Sequence, residues 1–389
     1  MRAEREVRVK DPRPRVLQLV NSFHLGGTEG QVVELLKGLQ TWFRPEVGAI
    51  DLHGPHAQTV GRMGLAPLEL PLAGSFAKPG TLWQIARLAA HLRRQRVALV
   101  HAHDFYTALL AVPAARLAGV CSVVGRLDLG HWHSRGQALA LAAATRGADA
   151  VVANAQAIRA QLVEREHLPP DRVRVVHNGI DLAAFDRRSG EPLAEPLPDL
   201  SGRVVVAHVA NMTHPVKAQE DLFEAMRSLS RRHPEVLLLL VGDGARRPRL
   251  EELVRRLGLV ASVRFLGRRG DVPAVLARSH VGVLCSHAEG LSNAIIESMA
   301  ARLPMVVTDA GGNAELVRDG ERGLVVPVRA PLQLADRLAA LVGSRQLRRT
   351  MGAAGRAFVV RELTLRALLE RHAALYRDVL SERVASRAP

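Results

Sequence analysis

Strand-length apolar runs alternate with amphipathic helical stretches along this chain, and the alternation stops once before it restarts. Arg15 to Val20 reads as a buried strand, Asn21 to Thr28 as a loop, and Glu29 to Gln40 as a helix with Val32, Val33, Leu35, Leu36 and Leu39 on one face. Val97–Val100, Ser122–Gly125, Ala150–Ala153 and Val173–Val176 continue the strands. Asp186 to Gly202 then places Pro192, Pro196 and Pro198 among charges and reads as a linker. Beyond it, strands at Val204–Val209, Val236–Val241, Val281–Leu284, Met305–Thr308 and Gly323–Val326 alternate with helices such as Gln219–Arg232 and Ala294–Ala301. Runs that are apolar on both faces suit a parallel sheet covered by helices. The expected fold class is therefore α/β, with two doubly wound, Rossmann-like domains at 1–185 and 203–365. A linker at 186–202 joins them, and a helix at 366–389 is free to pack back towards the first domain. At 389 residues the chain exceeds what one core usually serves. Any ligand is expected at the carboxyl ends of the strands, in a cleft between the domains.

Within that frame, Glu289-Gly290-Leu291-Ser292-Asn293-Ala294-Ile295-Ile296-Glu297 carries the most chemistry. It sets two carboxylates eight positions apart, one before a turn and one inside the following helix. Gly290 lets backbone approach a ligand, and Ser292 or Asn293 can cap the helix by accepting an exposed N–H. Amides at a helix start favour an anion. Carboxylates do not bind phosphate, so Glu289 and Glu297 suit hydroxyl groups on either side of one. An anion flanked by hydroxyls describes a sugar, a diphosphate and a ribose. Two glutamates eight apart also arise on an ordinary solvated helix face, so the motif needs its context.

The net charge of +15 is spread over both halves, and aromatic residues make up only 3% of the chain. Base-stacking platforms are thus scarce, and nucleic acid is an unlikely partner. An anionic membrane surface suits the charge better. Leu82 to Arg96 is its candidate contact, with Leu82, Ile85, Leu88, Ala89 and Leu92 on one face and Arg87, Arg93, Arg94 and Arg96 beside them; an ordinary surface helix is the plainer reading. Met1 to Arg15 is charged and Pro-punctuated, unlike a secretory leader, and no apolar run reaches the ~18 residues that span a bilayer. Cys121 and Cys285 lack metal-site spacing. A cytoplasmic protein is expected, with room for peripheral attachment to the inner face of the plasma membrane.

Several further motifs occur in order: Gly26-Gly27-Thr28-Glu29, His177-Asn178-Gly179-Ile180-Asp181, Lys217, Val241-Gly242-Asp243-Gly244, Phe265-Leu266-Gly267 and Gly311-Gly312-Asn313-Ala314-Glu315. Together with the Glu289–Glu297 segment, the chain resembles glycosyltransferase family 4, retaining enzymes of the GT-B fold. Gly26-Gly27-Thr28-Glu29 with Arg126-Leu127-Asp128-Leu129-Gly130 looks most like the branch that builds bacterial exopolysaccharide or capsule. The resemblance implies that Glu297 binds ribose hydroxyls, that Glu289 lies by the donor sugar, and that amides of Gly290, Leu291 and Ser292 hold the diphosphate and sugar edge. It places the family's basic pair at Asn211 and Lys217, where only the lysine is basic. Gly26 and Gly27 would bring amides to the phosphate from the opposite wall, and Arg268 lies either beside the base or diphosphate or simply at the surface.

No Asp-x-Asp occurs, so no metal or cofactor is expected, and Lys217 with the helix-start amides would carry the diphosphate charge. His101, His103, His131 and His133 are a poor metal set, having only Asp104 and Asp128 as acidic company. The family's usual histidine over the reacting sugar falls at Leu127 or Asp128, with His131 and His133 close behind. Asp128 can orient the acceptor hydroxyl, accept its proton, or merely hold a loop. The expected function is transfer of a sugar from a nucleotide-diphosphate-sugar to a glycan or lipid-linked acceptor hydroxyl, with retention. An epimerase of the same fold and a nucleotide-sugar-binding protein without turnover are the alternatives.

Overall fold

A computed structural model describes residues 11–24, 26–72, 79–130 and 133–385. In chain order the first strands and helices are β1 (Arg15–Ser22), α1 (Gly27–Gly38), β2 (Arg44–Asp51), α2 (Pro55–Arg62), β3 (Leu68–Glu69), α3 (Pro79–Arg94), β4 (Val97–Ala102), α4 (Phe105–Ala118), β5 (Cys121–Arg126), α5 (Arg135–Gly147), β6 (Ala150–Ala153), α6 (Gln156–Ala160), β7 (Val173–Val175) and α7 (Leu182–Ser189). There follow β8 (Val204–Val209), α8 (Gln219–Arg232), β9 (Val236–Val241), α9 (Arg247–Arg256), β10 (Val263–Gly267), α10 (Val272–Leu276), β11 (Val281–Leu284), α11 (Asn293–Ala300), β12 (Met305–Thr308), α12 (Asn313–Leu316) and β13 (Gly323–Val326). The helices α13 (Pro331–Gly343), α14 (Arg345–Glu362) and α15 (Leu365–Ala385) complete the chain.

The seven-stranded sheet has the order β3-β2-β1-β4-β5-β6-β7, and the six-stranded sheet β10-β9-β8-β11-β12-β13. Strands β3 to β5 and all pairs of the second sheet run parallel. The α/β expectation holds: these are two Rossmann-like sheets wrapped by helices. Contacts group the chain into two compact units, Met1–Gly125 with Arg135–Val151 and Arg371–Pro389, and Arg126–Ser134 with Val152–Glu370.

In the second unit, Val-Leu-Leu-Leu-Leu-Val of β9 is buried at every position. One side packs Leu238 and Leu240 with Leu222, Phe223 and Met226 of α8; the other packs Leu237 and Leu239 with Val275 of α10. Both faces being covered explains why the run is continuously apolar. In this sheet β8 is flanked by β9 on one side and β11 on the other, so strand order reverses there and the loops leaving β8 and β11 diverge.

The first unit differs from expectation in two places. β2 and β3 escape the apolar-run criterion, because β2 interrupts its short core of Val47 to Ile50 with Gly48 and opens on Arg44-Pro45-Glu46. The apolar face offered by α3 for membrane contact is instead core: Leu88, Ala89 and Leu92 are buried with Leu17, Val100 and Leu110. Only Leu82 and the neighbouring Trp83 stand out at the start of that helix. Part of α15 also belongs to this unit. Its Tyr376 hydroxyl lies 2.6 Å from Nδ1 of His101 and accepts from Nε2 of Gln18 at 3.1 Å, while Gln18 Oε1 lies 2.7 Å from Nε2 of His103. Among the described residues, no helix is long and apolar enough to cross a membrane.

Candidate active site

The loops that leave β8 and β11 at the strand-order reversal meet at a lysine and a glutamate. After β8, Pro215 starts a short 3-10 turn that ends at Lys217, and Ala218 takes a left-handed conformation (φ 51°) to launch α8. After β11, Cys285 to Ser292 forms the loop into α11. His287 staples the two loops: its N–H donates to Val216 O at 2.8 Å, and its Nε2 lies 2.7 Å from Oδ2 of Asp221. With the loops tied, Lys217 Nζ donates to Glu289 Oε1 at 2.5 Å, and Ser286 Oγ donates to the same oxygen at 2.6 Å. The pair is mostly buried, at 20% and 10% side-chain exposure. Lysine has three N–H donors, so two remain for an anion. Among the described residues nothing donates to Oε2 of Glu289.

His208 of β8 lies in the field of both charged groups. It is fully buried, its Nδ1 is 3.0 Å from Val283 O, and Nε2 has no partner. Burial, helped by Lys217, pushes its imidazole down to about 4, so it is neutral at pH 7.

Gly290 sits where no side chain fits: a Cβ there would run into the carbonyl oxygen of Leu127. That oxygen also accepts from Asn154 Nδ2 at 3.2 Å. On the other side, Gly312 N–H donates to Gly290 O at 2.8 Å. Gly311 makes that turn possible with φ +56°, and a Cβ would collide with Glu289 O. The glycines therefore bring three backbone segments together around residues 289–290.

The start of α11 corrects one expectation. Ser292 is the N-cap residue by backbone geometry, but its side chain caps nothing. Asn293 does not cap either; its Oδ1 accepts from Asn178 Nδ2 at 2.8 Å, and Asn178 also reaches Leu291 O at 3.4 Å. The first-turn amides are thus left without a side-chain cap. Four residues into the helix, Glu297 is half-buried, and no described residue donates a hydrogen bond to it. Burial pushes its carboxyl up to about 7, while Arg188 pulls in the opposite sense.

The remaining expected residues divide. Asp128 accepts from Gly130 N–H at 2.6 Å, a loop-holding contact, one residue along from the Leu127 carbonyl at Gly290. Its neighbour Arg126 is buried in a two-pronged pair with Glu166 at 2.9 and 2.7 Å. Asn211 and Arg268 are exposed at the ends of β8 and β10, Asn211 making only a 3.5 Å contact with Thr213 N–H. Gly26 and Gly27 open α1 in the first unit. His131 lies outside the described residues, and His133 N–H closes the Gly130 turn at 3.0 Å. Sequence reasoning passed over Ser286, Asn154 and His208, each a lone polar residue without periodic or motif signal. It quoted Glu315 only as part of a motif; here that carboxylate accepts from Gln156 and Ala157 N–H at 2.8 and 2.7 Å. Burial alone would raise it, but these donors and His177 outweigh that and lower it.

The site so built offers uncapped amides and an ammonium for an anion, with two carboxylates under-supplied with donors on either side. Comparison with known proteins agrees with this chemistry. The Glycosyltransferase Family 4 profile matches residues 25–184, and that of Glycosyl transferases group 1 matches residues 203–344. The N-acetyl-alpha-D-glucosaminyl L-malate synthase of Bacillus anthracis is 27% identical over 55% of this chain, a match spanning 56% of that protein's length. The alpha-D-kanosaminyltransferase of Streptomyces kanamyceticus is 29% identical over 79% of this chain and 84% of its own. Among solved structures, Anabaena HepE in complex with UDP superposes with a TM-score of 0.81 at 21% identity, covering 94% of this chain and all of that one (100%). At that identity the likeness speaks for the fold.

Proposed function

The chain belongs to the glycosyltransferases of the GT-B, family 4 type, and from that premise we propose that it moves a sugar from a nucleotide-diphosphate-sugar to an acceptor hydroxyl with retained anomeric configuration. The observation that carries this reading is the Lys217–Glu289 pair beside the uncapped start of α11. The diphosphate takes the first-turn amides and the free N–H groups of Lys217. Glu297 accepts the ribose hydroxyls, and Oε2 of Glu289 accepts a hydroxyl of the donor sugar. UDP in the HepE structure makes a uridine donor the first to try.

The bond between the anomeric carbon and the phosphate oxygen breaks first. Positive charge grows on the sugar and negative charge on the diphosphate, where Lys217 and the amides stabilise it. The acceptor oxygen then bonds to the anomeric carbon from the same face, and its proton passes to the departing diphosphate. No covalent glycosyl-enzyme is required, and Lys217 lets the diphosphate leave without a divalent cation. The acceptor is a glycan or lipid-linked chain in polysaccharide synthesis, met at the inner face of the plasma membrane. Binding without turnover is the second reading, favoured by the neutral, exposed Asn211 and by Arg126 being consumed in its pair with Glu166.

The test is calorimetry against a panel of nucleotide-sugars, followed by nucleotide release with acceptors in the presence of a chelator. Heat with a nucleotide-sugar and chelator-resistant release support the proposal. No heat with any donor overturns it, and activity abolished by the chelator and restored by a cation overturns its metal-free step.

A further inference from the structure

Asp and Glu make up 38 of the 389 residues, yet α3, α4 and α5 contain none at all. Their charged residues are Arg87, Arg93, Arg94, Arg116, Arg135 and Arg146, with His91. These helices form one layer, α3 packing on α4 and α4 on α5. The carboxylates nearest the layer are engaged elsewhere. Asp104 is buried as the N-cap of α4, where it accepts from Thr107 N–H. Glu46 takes Arg15 at 2.8 Å and His91 at 3.2 Å. The outward face of the layer is therefore uniformly basic.

The same layer exposes large apolar side chains at one end. Leu82 and Trp83 near the start of α3, Tyr106 in the first turn of α4 and Leu139 near the start of α5 are 71%, 61%, 42% and 73% exposed. Each helix begins beyond the carboxyl end of its preceding strand, so parallel strand order sets the three starts side by side. The guanidinium of Arg87 stands 5.6 Å from the Trp83 ring. Tryptophan, tyrosine and leucine fringed by arginine and lacking acids match a membrane interface, where rings sit at headgroup depth and each basic residue gains about 1 kcal/mol near anionic lipid.

We propose that this edge of the α3-α4-α5 layer docks the protein on an anionic lipid bilayer, with Leu82, Trp83 and Leu139 entering the headgroup region. The inference deepens the proposal that the acceptor is met at a membrane. It is tested without donor or acceptor, so its failure leaves the transfer reading standing. The intact chain is sedimented with vesicles of phosphatidylglycerol and phosphatidylcholine, or of phosphatidylcholine alone, at rising salt. Binding to the anionic vesicles alone, weakened by salt, is expected. Leu82→Ser with Trp83→Ser should weaken it at least tenfold, and Arg94→Glu with Arg135→Glu similarly, with unchanged melting temperature in each. In a Trp42→Phe, Trp132→Phe chain, the remaining Trp83 emission should shift to the blue on anionic vesicles. Equal binding to both vesicle types, or undiminished binding by both double variants, overturns the proposal. So does a vesicle-free dimer that the Leu82 and Trp83 changes convert to monomer, which would make the edge a self-association surface.

Discussion

Nζ of Lys217 lies 2.5 Å from Oε1 of Glu289, although the two residues stand 72 positions apart and follow different strands. The contact spans the point where the sheet reverses its strand order. It makes two otherwise unremarkable charges one unit, and mutations there act on stability and turnover together.

Lys217→Ala removes both the diphosphate counter-charge and the partner of a mostly buried carboxylate. Turnover should fall by about 10²-fold. Stability should fall by about 2 kcal/mol, because an uncompensated carboxylate remains. Adding Glu289→Gln should recover part of the stability and none of the turnover. Urea unfolding and single-turnover assays check this; a double variant no more stable than Lys217→Ala would separate the two residues.

Glu297 titrates near 7 in the folded chain, against 4.5 for an unperturbed glutamate. The folded state thus binds this proton more tightly than the unfolded state, and the stability it contributes is present below 4.5 and lost as pH rises to about 7. Glu297→Gln should therefore melt higher than the parent at pH 8, with the advantage gone by pH 5. Donor affinity should drop about tenfold at pH 8, since a carboxylate accepts ribose hydroxyls better than an amide. Melting curves with and without nucleotide-sugar read both effects, and a destabilised variant at pH 8 would refute the buried-carboxyl account.

The histidines that hold α15 work in the other direction. Burial, with neighbouring His372, pushes His103 down to about 3, and His101 also falls well below 6.5. Their stability contribution is complete above 6.5 and drains away as pH falls towards the folded value. Asp104, raised to about 6 by burial, partly offsets this in the same range. Comparing the parent with His103→Gln cancels such background terms. Between pH 6 and 4 the variant should lose about 1.4 kcal/mol per pH unit less than the parent, the linkage of one proton. Parallel urea-midpoint profiles would show that His103 does not titrate as its burial requires.

Gly290→Ala tests the crowding of backbone at the site. The added methyl meets the Leu127 carbonyl, and only a shift of the 126–130 loop relieves it. A loss of about 1–3 kcal/mol in stability is expected, with weaker donor binding. Gly30→Ala, which has open space around it, is the control and should be neutral or stabilising.

The second sheet was legible in the sequence because its strands are fully apolar; β8, β9, β11, β12 and β13 have the bounds their runs suggest. β2 was not, since Glu46 there pairs with Arg15 and His91 instead of following any period. Lys217 and Glu289 were both visible as residues, but no spacing rule joins loops from different strands. The cap at α11 misled for a related reason. Serine and asparagine stand where caps belong, yet Asn178, from a distant loop, claims the oxygen of Asn293.

Tyr376 and its hydrogen bonds to Gln18 and His101 have a consequence for how the molecule is made. The first unit is sewn from three separated stretches, the last beginning at Arg371. A ribosome that has released the whole of the first sheet still holds back the tyrosine that seals its polar interior. That sheet must therefore wait, unsealed, while more than two hundred further residues emerge, and a fragment ended before Arg371 would carry unanswered histidines at its centre.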